Sequence, residues 1–167
     1  MILFDYQQGL ADEWFETDGF RSSACGTASG PNTRRRHALL AYENESGIPW
    51  VLVNHCEEWV ELSGKRFPLT ATFYHDETEP ARITLYPHGY QYLVDFTTAP
   101  FVQWTYQVEG HRIVKSIRPS RNERGLFLQY AINAANGSQP VIYVRPMISG
   151  RRATDLHLEN ARFATAT

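Results

Sequence analysis

The sequence predicts an all-β protein, an antiparallel β-sandwich, and three observations carry that reading. Gly, Pro, Asn and Asp punctuate the chain at roughly ten-residue intervals, as turns between short strands do. The segments between them alternate apolar and polar residues with a period of two, which places one side chain in the core and the next in solvent. Two pairs of such segments are joined by two-residue turns, Ser63-Gly64 and Glu109-Gly110, of the kind that closes a hairpin. A closed barrel is the alternative architecture for the same pattern.

Taken in order, the first strand is expected near Trp50–Val53. A hairpin follows, with Glu57–Leu62 and Lys65–Leu69 as its arms. Its turn sets Val60 opposite Phe67 and Glu61 opposite Arg66, an apolar pair and an opposite-charge pair. Pro68 removes a ladder donor, so that arm should lie at an edge or bulge. Strands are expected next near Arg82–Tyr86 and Tyr90–Phe96. The clearest hairpin pairs Val102–Val108 with His111–Ile117. It sets Val108 opposite His111, Tyr106 opposite Ile113, Trp104 opposite Lys115 and Val102 opposite Ile117. One face is then largely apolar, while Gln103, Thr105, Gln107, Arg112 and Ser116 form a half-solvated face. Leu126–Asn133 and Val141–Met147, with an Asn136-Gly137 turn between them, complete about seven or eight strands. Two regions break the alternation: the small-residue stretch Gly19–Asn32, read as a loop, and the polar tail from Gly150, read as a short helix. Irregular or helical segments are thus expected near both termini.

At 167 residues, 43% hydrophobic and 13% aromatic, the chain has material for one globular domain spanning residues 1–167. Sixteen Lys plus Arg nearly cancel 18 Asp plus Glu, which argues against disorder and against a nucleic-acid partner. No stretch approaches the roughly 20 apolar residues of a membrane span, and the start Met1-Ile-Leu-Phe-Asp lacks a secretory n-region, so a cytoplasmic location is expected. Two cysteines, Cys25 and Cys56, cannot build a disulfide framework or a four-cysteine zinc site.

Few residues look chemically equipped. The six histidines show no metal-ligand spacing, so neither a metal nor a cofactor is expected. Glu57 and Glu58 alternate faces on a strand and cannot act as a catalytic carboxylate pair. Gly26-Thr-Ala-Ser-Gly30 lacks the Gly-Lys-Ser/Thr of a phosphate loop. If Arg34-Arg35-Arg36 is extended, Arg35 points away from its neighbours, and such guanidinium forks suit carboxylates or sugar hydroxyls. Trp14 and Tyr90, in loop-like sequence, are candidates to stack on a sugar ring.

Those same segments carry a resemblance. Glu13-Trp14, Gly19 and Ala24-Cys-Gly-Thr-Ala-Ser-Gly-Pro-Asn-Thr-Arg-Arg-Arg-His-Ala-Leu-Leu40 resemble the opening motif of the N-terminal domain of bacterial and archaeal glycogen debranching enzymes. The similarity continues through Pro87-His-Gly-Tyr90, Trp104-Thr-Tyr106 and Arg145-Pro146 to Glu159-Asn160. It implies a supersandwich-type β-sandwich that precedes an (α/α)6-barrel with amylo-α-1,6-glucosidase activity, the catalytic carboxylates belonging to the barrel. The chain departs from the motif at Arg21–Ser23, Cys25, Arg36, Ala38 and Arg151–Thr154.

The expectation is therefore a non-catalytic domain that packs on the catalytic barrel and helps wall an α-glucan site. Trp14, Asn32, Arg34, Arg35, His37 and Tyr90 are the candidate substrate-binding or interface residues, and an apolar face left uncovered by the barrel would favour a homodimer of the isolated chain. A free-standing α-glucan-binding module is the alternative, and a small hydrolase using Cys25 or His37 a third reading.

Overall fold

The computed structural model describes residues 4–75, 78–79, 83–135 and 139–155. A six-residue helix, α1 (Tyr6–Ala11), is capped by Asp5, whose carboxylate accepts the Gln8 N–H at 3.0 Å. Strands follow: β1 (Glu13–Thr17), β2 (Ser22–Thr27), β3 (Ala38–Glu43), β4 (Pro49–Leu62), β5 (Lys65–Pro68), β6 (Thr72–His75), β7 (Ile83–Tyr86), β8 (Leu93–Thr97), β9 (Val102–Val108), β10 (His111–Pro119), β11 (Leu126–Asn133) and β12 (Val141–Arg152). A 3₁₀ turn, Gly89–Tyr92, leads into β8.

The strands form two large antiparallel sheets and a small β6–β7 ribbon. One sheet runs β1-β2-β3-β4-β12, with β5 also paired to β4; the other runs β11-β10-β9-β8. They pack as a sandwich around Val60 and Leu62 of β4, Trp104, Tyr106 and Val108 of β9, and Ile113 of β10. Both hairpin registers are those the turns dictate, Tyr106 against Ile113 and Val60 against Phe67. The turn residues are left-handed as the two-residue loops require: Ser63 and Gly64 at φ 49° and 77°, Glu109 and Gly110 at 45° and 83°. Pro68 ends β5, which pairs with β4 alone, so its missing N–H costs no ladder bond on a second side.

The structure corrects several expectations. Ser22–Thr27 is a strand, not a loop, paired on both sides. Its small residues are there to seat an aromatic ring: a Cβ on Gly26 would sit 3.2 Å from Trp14. The segments read as Trp50–Val53 and Glu57–Leu62 are one 14-residue strand, β4. Bulges against β3 and β12 let it bury Val51 in a small core with Ala38, Ala41 and Ala153, and Cys56, Glu58, Val60 and Leu62 in the main one. Thr105 and Ser116 are buried rather than half-solvated, whereas Gln107 and Arg112 of the same face are exposed as expected. The chain from Gly150 to Arg152 continues β12 instead of turning helical; residues 156–167 and the Asn136-Gly137 turn lie outside the described residues.

One ionic contact ties the sheets together. Lys115 of β10 places Nζ 2.7 and 3.0 Å from the two carboxylate oxygens of Glu58 on β4, and 5.0 Å from the Trp104 ring centroid. Glu58 is 1% exposed, so this is a buried pair, whose loss from one side is costly.

Candidate functional site

The Asn32–His37 segment, between β2 and β3, is not extended. The His37 N–H donates to the Arg34 carbonyl at 3.0 Å, closing a turn that carries all three arginines on the surface. The alternation of Arg34, Arg35 and Arg36 is conditional on an extended run, and the turn removes that condition. Four parts of the fold fix the turn. From β1, the Glu13 carboxylate accepts from Arg34 Nε and stands 3.6 Å from His37 Nε2. From β4, the Asn54 carbonyl accepts from Asn32 Nδ2 at 3.1 Å. From the end of β12, Arg151 Nη1 donates to the Arg35 carbonyl at 2.7 Å and to the Asp155 carbonyl at 2.9 Å, while Nη2 reaches Asn54 Oδ1 at 3.3 Å. From β2, the Cys25 thiol donates to the Arg36 carbonyl at 3.2 Å.

The electrostatics follow from this geometry. The bond from Arg34 holds the Glu13 carboxyl below its usual range, so Glu13 is ionised at neutral pH. His37 is 2% exposed, and burial pushes its pKa down. Its Nδ1 accepts the Thr33 N–H at 3.2 Å, which assigns the proton of the neutral ring to Nε2, facing Glu13. Burial also raises both thiols, Cys56 to about 11, so each is protonated and a poor nucleophile. Arg34 is thus committed to a carboxylate of its own domain. Among the described residues, Arg35 Nη1 donates to the Thr154 carbonyl at 3.4 Å, and the exposed Arg36 adds to the positive field that helps hold the Glu13 pKa down.

The other candidates lie elsewhere. Trp14 is not an exposed loop ring: it stands on β1, 8% exposed, edge-on to Trp104 at 5.3 Å, with Nε1 donating to the Thr27 carbonyl at 3.1 Å. It is a core residue, unable to stack on a ligand. Tyr90, in the 3₁₀ turn, packs on Tyr6 with ring centroids 4.3 Å apart and beside His88 at 6.0 Å, not on the arginine turn. Glu57 and Glu58 do point to opposite faces, one bonded to Arg145 and the other to Lys115. A cavity of about 50 Å³ opens between the sheets beside Asn32, Asn54, Cys56 and Lys115. That is room for a few waters and far below the several hundred Å³ of a sugar pocket.

Sequence reasoning missed Arg151 and Asn54 as the residues that hold the turn. Arg151 stands out in the sequence only as part of a departure from the family motif. Nothing near Asn54 signals its role, since its partners are 22 and 97 positions away.

With this geometry in place, the comparisons give one match. The family described as glycogen debranching enzyme N terminal matches residues 12–167. No curated protein and no solved structure matches the chain. Among the described residues, no helix is long and apolar enough to cross a membrane.

Proposed function

The chain belongs to the glycogen debranching enzyme N-terminal family, and from that premise we propose that it is a non-catalytic docking domain. It packs on an (α/α)6 catalytic barrel in the cytoplasm and helps wall the α-glucan site, as one domain over residues 1–167. The observation that supports this is the arginine turn: a surface segment held by β1, β2, β4 and the end of β12, with Arg35 and Arg36 directed outward and little bound within the domain.

An internal hydrogen-bond frame of that density pre-organises two guanidinium forks for carboxylates on a partner surface, where charge-assisted bidentate bonds fix orientation. Arg34 and His37 then act through Glu13, shaping the turn, and Asn32 anchors it to β4. Trp14 supports the same segment from the core, since its indole N–H holds the Thr27 carbonyl at the end of β2.

The test is Arg35→Ala in a debranching enzyme that contains this chain. Assembly with the barrel and glucan turnover should fall, while the melting temperature of the isolated chain stays unchanged. Normal assembly and activity would refute the assignment.

A further inference from the structure

One exposed surface is used neither by the core nor by the arginine turn. On the face of β4 and β12 that points away from Glu58 and Val60, Trp59 and Tyr143 stand directly opposite each other across the ladder. Their rings are stacked, with centroids 5.3 Å apart and planes within 7°. Among the described residues β12 is the edge of its sheet, and Tyr143 is 37% exposed. The Arg66 guanidinium sits 5.5 and 5.6 Å from the two ring centroids and bonds Glu61 at 3.2 Å. Two residues along β12, Arg145 bonds Glu57 on the same face.

The chemistry of this surface selects a ligand class. A braced aromatic ring with one open face suits the C–H face of a sugar. Planar guanidinium donors and carboxylate acceptors beside it match neighbouring hydroxyls. Two arginines and two glutamates leave the patch without net charge, so it complements a neutral polyhydroxylated chain and not an acidic polypeptide or a phosphate. The patch lies roughly 25 Å of extended strand from Arg151 and the arginine turn, since eight residues separate them at about 3.3 Å each.

We propose that Tyr143 and Trp59, with Arg66 and Arg145, form an α-glucan-binding surface separate from the docking turn. The α-glucan rests on the functional reading above; the surface itself does not. The intact chain is titrated with maltoheptaose and, separately, with cellohexaose, by heteronuclear NMR, alongside thermal melts of each variant. Maltoheptaose should bind saturably and shift the amides of β4 and β12, while cellohexaose binds at least about tenfold more weakly. Tyr143→Ala should weaken maltoheptaose binding by about tenfold, the loss expected for a stacking ring, and Tyr143→Phe should stay within about twofold of the parent. The proposal fails if maltoheptaose does not bind, if cellohexaose binds equally well, or if a folded Tyr143→Ala binds as the parent does. It also fails if Tyr143→Ala leaves binding intact yet releases the catalytic domain in the full enzyme, which would make the patch a protein interface. Because Arg35→Ala tests docking without touching this patch, the two readings stand or fall separately.

Discussion

Replacing Lys115 by Met probes whether the sandwich closes as described. The substitution keeps most of the apolar stem but removes the cation paired with Glu58, which is 1% exposed and bonded at 2.7 and 3.0 Å. Breaking a buried pair from one side leaves an uncompensated charge between the sheets and costs about 3–5 kcal/mol. The cation–π contact with Trp104, at 5.0 Å, disappears with it. Against a total stability of about 5–15 kcal/mol, that is about a fifth of the fold's stability or more. At about 2–4 °C per kcal/mol for a domain of this size, the melting temperature should fall by about 6–20 °C. Urea unfolding followed by tryptophan fluorescence measures it. The double variant Glu58→Leu with Lys115→Met removes both charges and should recover to within about 1 kcal/mol of the parent. A single-variant cost below about 1 kcal/mol, or a double variant worse than either single, would refute a buried inter-sheet pair.

Two further predictions concern buried groups that bind fewer protons in the fold than in the unfolded chain. The Asp18 carboxylate accepts the N–H groups of Phe20 at 2.6 Å, Ser22 at 2.9 Å and Gly125 at 2.8 Å, locking the β1–β2 turn to the β10–β11 loop. Asp18→Ala should cost about 2–4 kcal/mol in urea unfolding, since buried donors are left unpaired. Burial works to raise the Asp18 pKa, but the bonds from Gly125, Ser22 and Phe20 prevail and hold it low. Its contribution is therefore present above the ordinary aspartate range and is lost as pH falls through the lowered pKa. His37 is depressed by burial, so its contribution is complete above about pH 6.5 and is lost as the pH falls from there. A stability profile between pH 7 and 5 should decline for the parent and decline less steeply in His37→Gln, the remaining slope including the half-buried His55; identical slopes would contradict a buried neutral imidazole at His37.

What could be read in the sequence was local. The two hairpins were legible because their turns, Ser63-Gly64 and Glu109-Gly110, set the register of every pair on the arms. The β2 strand was not, because Gly26, which lets Trp14 lie against it, sits in a stretch with the composition of a loop. The merger of β4 was hidden by bulges, which shift the buried set from Val51 to Cys56 and so break the alternation. Burial of Trp14 depends on Trp104, ninety positions away on the opposite sheet, and no local pattern encodes that meeting. The motif from Asn32 to His37 marked the right segment. Its conformation depends on Glu13, Asn54 and Arg151, and those contacts are set only by the folded topology.

Hydrogen–deuterium exchange tests the central claim most directly, by comparing the isolated chain with the full enzyme that contains it. If the arginine turn is the docking surface, the amides of residues 33–37 and 151–155 should become markedly more protected in the full enzyme, while those of the β9–β10 hairpin stay unchanged. Equal exchange of the turn in both forms would contradict the account.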